Sequence, residues 1–221
     1  MNTRITARPL IRYALCLAFC TGLAGHVYAG ENLATNPGME DGTKGWSVFM
    51  AKESEDKGAG ISPDATVYHS GKYSLKMFSP VDARYSVAPH LNLGTVTPGD
   101  RYRISIWVRA GDDFVQKPGT PGFHIRATLF EAPGKDVAGG HYHFGLNGRA
   151  LRGAPFSLLG SDPVPHEWTQ VSGVFVVPEG TQRLNFNIFV ERASGSLYLD
   201  DIVVIKVGAD TPLTPLLKAK S

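Results

Sequence analysis

Cysteine is nearly absent from this chain of 221 residues, which contains only Cys16 and Cys20. Both lie within the first 29 residues, so the remaining 192 residues have no cysteine at all. This excludes a disulfide framework for that part of the chain, and its stability must come from a hydrophobic core, with or without a metal ion. A length of 192 residues suits one domain.

An excess of charge and a long apolar run are also missing after residue 29. That part has 19 basic and 20 acidic side chains, and the sequence pI of about 8.5 is largely due to three arginines in the first 29 residues. It therefore offers no basic field to attract nucleic acid or an anionic membrane. No segment there approaches the roughly 20 apolar residues that a membrane span requires.

Residues 1–29 have the features of a Sec signal peptide. Three arginines precede an apolar run at residues 13–23, and small residues occupy the two positions of Val27-Tyr28-Ala29 that a signal peptidase reads. A lipoprotein anchor on Cys20 is the alternative, but Phe19 stands where its processing needs a small residue. We expect cleavage near Ala29, a secreted or periplasmic product, a folded module at 30–207 and a flexible tail at 208–221.

Sustained helical periodicity is absent, and short runs rich in Val, Ile, Phe and Tyr alternate with Gly, Pro, Asn and Asp. This pattern predicts an antiparallel β-sandwich or barrel. The clearest predicted strands are residues 74–78, 102–109, 123–130, 168–177, 184–191 and 197–207. Residues 131–165 lose the pattern and are expected to form a long Gly- and Pro-rich loop containing His141-Tyr142-His143-Phe144.

Three predicted strands carry polar and aromatic residues on one face. Because successive side chains of a strand point to opposite sides, each strand has an apolar inner row and a mixed outer row. Aromatic rings stack on the apolar faces of pyranoses, and amides, guanidinium groups and carboxylates bond their hydroxyls. If the strands are neighbours, their outer rows form one sugar-binding groove. The candidate residues are Arg103, Trp107, Arg109, His124, Arg126, Phe130, Asn185, Asn187, Phe189 and Glu191.

Several short segments of the sequence stand in an order and at spacings that resemble those of a known family. They are Asn36-Pro37-Gly38-Met39-Glu40 with Trp46, residues 69–75 (HSGKYSL), Pro98-Gly99 before residues 102–110, Trp168 with residues 171–178, and Leu197-Tyr198-Leu199-Asp200-Asp201-Ile202. Together they resemble the carbohydrate-binding modules of the family 4, 9, 16 and 22 type, which share a galactose-binding-like jelly roll. The longer, Gly-rich stretch 131–165 departs from that pattern.

The resemblance implies an all-β, jelly-roll β-sandwich that binds a polysaccharide or oligosaccharide without cleaving it and is associated with glycoside hydrolase systems. It also implies that Trp107, Arg109 and Glu191 lie on strands lining the glycan groove. A structural calcium ion is implied as well, held by Glu40 and Asp200, with Asp201 as the alternative and backbone carbonyls near Lys72 completing the shell. Such mixed oxygen ligands suit calcium.

Two other kinds of function remain open. A small glycan-active hydrolase or lyase would need His, Tyr, Arg and Glu to converge near His124, His141, His143 and Glu191, but no pair of carboxylates is fixed by spacing. The same three histidines could ligate zinc or copper, although loop histidines facing solvent or glycan are the simpler interpretation. A structural or adhesive surface protein would instead present a face that binds no ligand.

Overall fold

The computed structural model describes residues 30–118, 120, 122–146, 148, 150–153 and 163–217. The predicted signal peptide lies outside these residues. In the described part, one short helix accompanies ten strands, and no helix has the length and apolar character needed to cross a bilayer. The elements are β1 Trp46–Met50, α1 Lys52–Glu55, β2 Gly60–Asp64, β3 Ser74–Pro89, β4 Arg101–Ala110, β5 Val115–Gln116, β6 Gly122–Ala132, β7 Lys135–Phe144, β8 Ala150–Arg152, β9 Thr169–Val176 and β10 Arg183–Val207.

Two long strands, β3 and β10, belong to both layers of a β-sandwich. Residues 84–89 of β3 and 183–191 of β10 pair with β1, β6, β7 and β8 to form the front sheet. Residues 74–79 of β3 and 195–207 of β10 pair with β2, β4 and β9 to form the back sheet. All these pairings are antiparallel, which confirms the predicted all-β sandwich.

The change of layer in β10 occurs at residues 192–195. Arg192 has a φ of 60° and Gly195 a φ of 84°, and the register with β3 shifts twice there. A Cβ on Gly195 would lie 2.1 Å from the carbonyl oxygen of Asp113, so this position requires glycine. The predicted strands 184–191 and 197–207 are therefore two arms of one bent strand.

Aromatic side chains fill the space between the two sheets. Phe175 of β9 lies with its ring centroid 5.2 Å from Tyr142 of β7 and 5.8 Å from Phe186 of β10. Phe144 of β7 packs so closely on β9 that a Cβ on Gly173 would approach its ring to 2.1 Å. These contacts join the front sheet to the back sheet through the hydrophobic core, in which all four aromatic side chains are buried.

Two segments differ from the sequence-based expectation. Residues 135–144 and 150–152 form β7 and β8, where we expected only a loop. Residues 208–217 were expected to belong to a frayed tail. Instead, Thr214 exchanges hydrogen bonds with Val174 of β9, and Pro215 and Leu217 bond both backbone groups of Ala150 in β8. This segment covers edge strands of both sheets, which would otherwise expose unpaired backbone groups.

Candidate functional site

The outer rows of β6 and β10 lie side by side on the front sheet. Antiparallel pairing sets Phe189 opposite His124 and Asn187 opposite Arg126. Their inner neighbours, such as Phe186, Ile188 and Ile125, belong to the core. The structure therefore brings seven of the ten predicted ligand residues to one face, which we call the groove: His124, Arg126, Phe130, Asn185, Asn187, Phe189 and Glu191.

The predicted placement of β4 in the same groove is wrong. β4 pairs with β9 and with the C-terminal arm of β10, so Arg103, Trp107 and Arg109 lie on the outer face of the back sheet. Trp107 stacks on His69 with ring centroids 3.9 Å apart, and the Nε of Arg109 donates a hydrogen bond to the carbonyl of His166. The alternation along β4 was predicted correctly, but strand order depends on long-range pairing.

The middle of the groove is an aromatic and cationic stack. The rings of His124 and Phe189 are stacked, with centroids 5.2 Å apart, and the guanidinium carbon of Arg126 lies 4.3 Å from the Phe189 centroid. As a result Phe189 is only 6% exposed and His124 only 2%. The two side chains therefore support Arg126 rather than offer a free ring to a sugar.

β7 adds two histidines that complete the groove on its other side. His143 pairs with Arg126 and His141 with Thr128 across the β6–β7 register. Burial lowers the pKa of His143 and of His124 to about 3, and the positive charge of Arg126 contributes in both cases. Burial also lowers the pKa of His141. All three imidazoles are therefore neutral near pH 7, as expected for buried groups beside a half-buried cation.

Three polar atoms of the groove are buried without a hydrogen-bond partner among the described residues: the Nε of Arg126, the Oγ1 of Thr128 and the Nδ1 of His141. The Nε2 of His141 lies 3.0 Å from the Oδ2 of Asp136, so the neutral ring carries its proton on Nε2 and presents Nδ1 as an acceptor. The groove thus offers a donor, an acceptor and a hydroxyl. Buried polar atoms left unpaired cost about 1–3 kcal/mol each, so native structures rarely keep them without a reason.

Phe49 on β1 is a groove residue that we did not predict. It is 57% exposed, and the register places it in one row with Ser86 of β3 and Phe189 of β10. The alternation along Trp46–Met50, with Trp46 buried and Phe49 outward, was the signal that could have found it. Phe49 is the exposed aromatic surface of the groove, at its β1 edge.

A depression of about 470 Å³ lies beside Phe49's strand and is lined by Ser47, Ala88, Asn185 and Asn187 among others. A second one, of about 420 Å³, lies at the other end of the same β10 arm, where Glu191 pairs with Arg84 at 3.1 Å. Both fall within the usual range for ligand pockets. From β1 to β7 the groove crosses five strands, roughly 19 Å at the normal strand spacing.

The predicted calcium residues meet at a different corner, on the back sheet. The Oδ2 of Asp200 accepts hydrogen bonds from the backbone N–H groups of His69 and Ser70, and its Oδ1 accepts one from Asp201. The Oε1 of Glu40 accepts the N–H of Lys72, where we expected Lys72 to offer a carbonyl. Three carboxylates are the donor type that calcium prefers.

Metal geometry is not formed by these side chains. Asp201 already accepts the hydroxyl of Ser70 and lies 2.7 Å from the Nδ1 of His69. In the part of the chain that the structure describes, no three His, Cys, Asp or Glu side chains are grouped to hold a metal ion, at this corner or among the groove histidines. Calcium at Glu40, Asp200 and Asp201 stays a prediction.

Comparison with known proteins gave matches among solved structures only. No family model matches the chain, and no curated protein matches its sequence. The enzymatically active domain of a tailspike protein from bacteriophage CBA120 superposes with a TM-score of 0.55 at 14% identity, covering 80% of this chain and 21% of that one. The chain thus spans about a fifth of that tailspike domain.

Two isolated modules match over nearly their whole length. A family 16 carbohydrate-binding module has a TM-score of 0.51 and 20% identity, covering 79% of this chain and 99% of the module. The family 22 xylan-binding domain of a Paenibacillus barcinonensis protein has a TM-score of 0.50 and 15% identity, covering 81% and 96%. The expected resemblance is confirmed at the level of architecture: this chain has the jelly-roll fold of the carbohydrate-binding modules.

Proposed function

We propose that this protein binds a polysaccharide or oligosaccharide in the groove of the front sheet and does not cleave it. The observation that carries the proposal is the set of buried, unpaired polar atoms on Arg126, Thr128 and His141 beside the exposed ring of Phe49. A sugar chain supplies hydroxyl groups that donate and accept, and an apolar ring face for the aromatic side chain. The family 22 domain with the same fold is a xylan-binding domain.

Non-catalytic binding is favoured over hydrolysis or lyase chemistry by the state of the ionisable groups. A glycosidase needs two free carboxylates, one of them with a raised pKa. On the groove, Glu191 is engaged by Arg84 and Asp136 by His141. A lyase needs a general base with a pKa near the working pH, whereas the pKa values of His124 and His143 are lowered to about 3.

Export, association with a glycoside hydrolase and a bound calcium ion are further parts of the proposal. The composition of residues 1–29 supports export to the periplasm or the medium. Calcium would be held by Glu40 and Asp200, with Asp201, whose side chain lies nearer to the surface, as the alternative. The ion would supply a rigid cross-link between the N-terminal segment and β10.

Affinity gels containing xylan, β-glucan, alginate or pectin test the proposal, with an assay for reducing ends and unsaturated products on the same samples. We expect retardation by at least one glycan without product. Phe49→Ala should weaken it, whereas Val48→Ala, on the same strand and 47% exposed, is the matched control because its side chain points to the other side.

A second control tests which of the two sheets binds the glycan. Trp107→Ala removes a large aromatic from the back sheet and should leave retardation unchanged, since Trp107 is stacked under His69 on the opposite face. Loss of retardation in Trp107→Ala but not in Phe49→Ala would assign glycan binding to the back sheet. Release of product would replace the binding proposal with an enzymatic one.

A further inference from the structure

The centre of the groove holds two guanidinium groups, and the two carboxylates of this face, Glu191 and Asp136, are each already bound to another side chain. Two guanidinium groups lie over the single ring of Phe189, Arg126 at 4.3 Å and Arg84 at 6.0 Å from its centroid. One carboxylate, Glu191, is close to them, and it is bound to Arg84. Among the described residues, no carboxylate lies within ion-pair distance of Arg126, so this half-buried cation has no directly bonded counter-ion, and Asp136 and Glu191 act on it only from further away.

The surroundings of Arg126 do not compensate for this charge. Asp136, the other acid on this face, and Glu191 attract Arg126 from beyond ion-pair distance, but burial and the nearby charge of Arg84 outweigh them and lower the pKa of Arg126. Stacking on Phe189 stabilises the guanidinium group of Arg126 by about 1–2 kcal/mol at a partly desolvated site, which is less than the several kcal/mol that burial of an ion costs. The buried Nε of Arg126 still lacks an acceptor.

A planar carboxylate is the group that would complete this arrangement. It accepts two parallel hydrogen bonds from a guanidinium group and brings the missing negative charge. Neighbouring groove atoms could bond the hydroxyls of the same sugar: Asn187 lies opposite Arg126 on β10, and the Oγ1 of Thr128 is unpaired on the next outward position of β6.

We propose that the groove selects an acidic glycan, with a uronic acid residue whose carboxylate pairs with Arg126. This inference rests on the proposed function and names its ligand class. Neutral sugars satisfy the hydroxyl-bonding atoms but leave the guanidinium without a counter-ion. We therefore expect roughly 10- to 100-fold weaker binding to a neutral chain than to the same chain bearing carboxylates, the range for one charge-assisted hydrogen-bonded contact.

The test compares polygalacturonate with its carboxyl-reduced form, which keeps the backbone and lacks the charge, by titration calorimetry on the purified protein. A neutral xylan and a sulfated galactan complete the set. Binding of polygalacturonate at least tenfold tighter than of the reduced chain, weakened by added salt, supports the proposal. Equal affinity for the charged and reduced chains overturns it and leaves glycan binding intact, whereas no binding to any glycan overturns both.

Variants of Arg126 test whether this residue binds the carboxylate of the glycan. Arg126→Met keeps an apolar side chain on Phe189 and should lower affinity for the acidic chain roughly 10- to 100-fold, a larger loss than for a neutral chain, which loses only a hydroxyl contact. Arg126→Lys should restore part of it. Lys206→Met removes the same charge from the back sheet, where Lys206 is exposed and paired with Asp100, and should have no effect. Preference for the sulfated galactan over the uronates would assign the site to a sulfate group and contradict the uronate proposal.

Discussion

Replacement of Asp200 should detach the loop at residues 69–73 from the back sheet. Asp200 is fully buried, and its carboxylate accepts three backbone N–H bonds of 2.7–3.2 Å, two of them from residues about 130 positions away along the chain. In Asp200→Ala these three donors lose their acceptor. His69 and Ser70 are partly exposed, so each donor should cost about 1 kcal/mol, the lower end of the range, and together about 3 kcal/mol.

Thermal unfolding followed by circular dichroism measures this loss. A domain of this size loses about 2–4 °C in Tm per kcal/mol, so Asp200→Ala should melt roughly 6–12 °C below the wild type. Asp200→Asn keeps the volume and one acceptor oxygen but turns an amide toward one N–H group, and should lie between the two. An alanine variant that melts within about 2 °C of the wild type would show that water replaces the carboxylate and would contradict the role of Asp200 in holding residues 69–73.

The pH dependence of stability tests the environment of Asp200 independently. Burial raises the pKa of Asp200 above its ordinary value of 3.8, although the three N–H bonds oppose this. The folded protein therefore binds this proton more tightly than the unfolded chain, so its contribution to stability is complete below pH 3.8 and is lost as the pH rises through the raised pKa. The stability of the wild type relative to Asp200→Asn should increase on acidification, because asparagine does not titrate; a constant difference would contradict the shift.

Three further predictions concern the core, the C-terminal segment and the metal. Gly173→Ala should cost about 1–3 kcal/mol because its methyl group meets the ring of Phe144, and Phe144→Leu in the same chain should recover part of the loss in a denaturant titration. Thr214→Val removes the acceptor for the N–H of Val174 at 2.7 Å and should lower unfolding free energy by about 1–3 kcal/mol; an unchanged denaturation midpoint would mean that the segment contributes nothing. Added calcium should raise the Tm of the wild type but not of Glu40→Gln, and an equal rise in both would place the ion elsewhere.

The alternation of side chains was predictable, because it depends only on local strand geometry. Inner and outer rows of β4, β6 and β10 appear in the structure as the sequence indicates, with Ile125 and Phe186 in the core and Arg126 and Asn187 outside. The sheet to which each row belongs was not predictable, since it follows from pairings between residues about 100 positions apart. This is why the row containing Trp107 was placed on the wrong face.

We did not predict β7 because glycines interrupt its sequence pattern. We also did not predict which side chains of the groove cover one another. In β7, Gly140 fits a bulge where a Cβ would lie 2.4 Å from the carbonyl oxygen of Val137, although the alternation of residues 141–144 was visible. Phe189 was correctly predicted to face outward. That Arg126 from the neighbouring strand would cover its ring depends on rotamers, which the sequence pattern does not encode.

The bent strand β10 has a consequence for how this chain reaches its native state. It pairs with β3, β4, β5 and β6, and both sheets contain one of its arms. Neither layer can close until this late segment is in place, and its partners in β3 lie more than 100 residues earlier. Forming contacts between residues so far apart in the sequence costs loop-closure entropy before the contacts stabilise the chain. Folding should therefore be slow, on the time scale of milliseconds to seconds that is typical of β-sandwiches. Because the same strand belongs to both layers, the two layers should form one cooperative unit that unfolds as a whole rather than sheet by sheet.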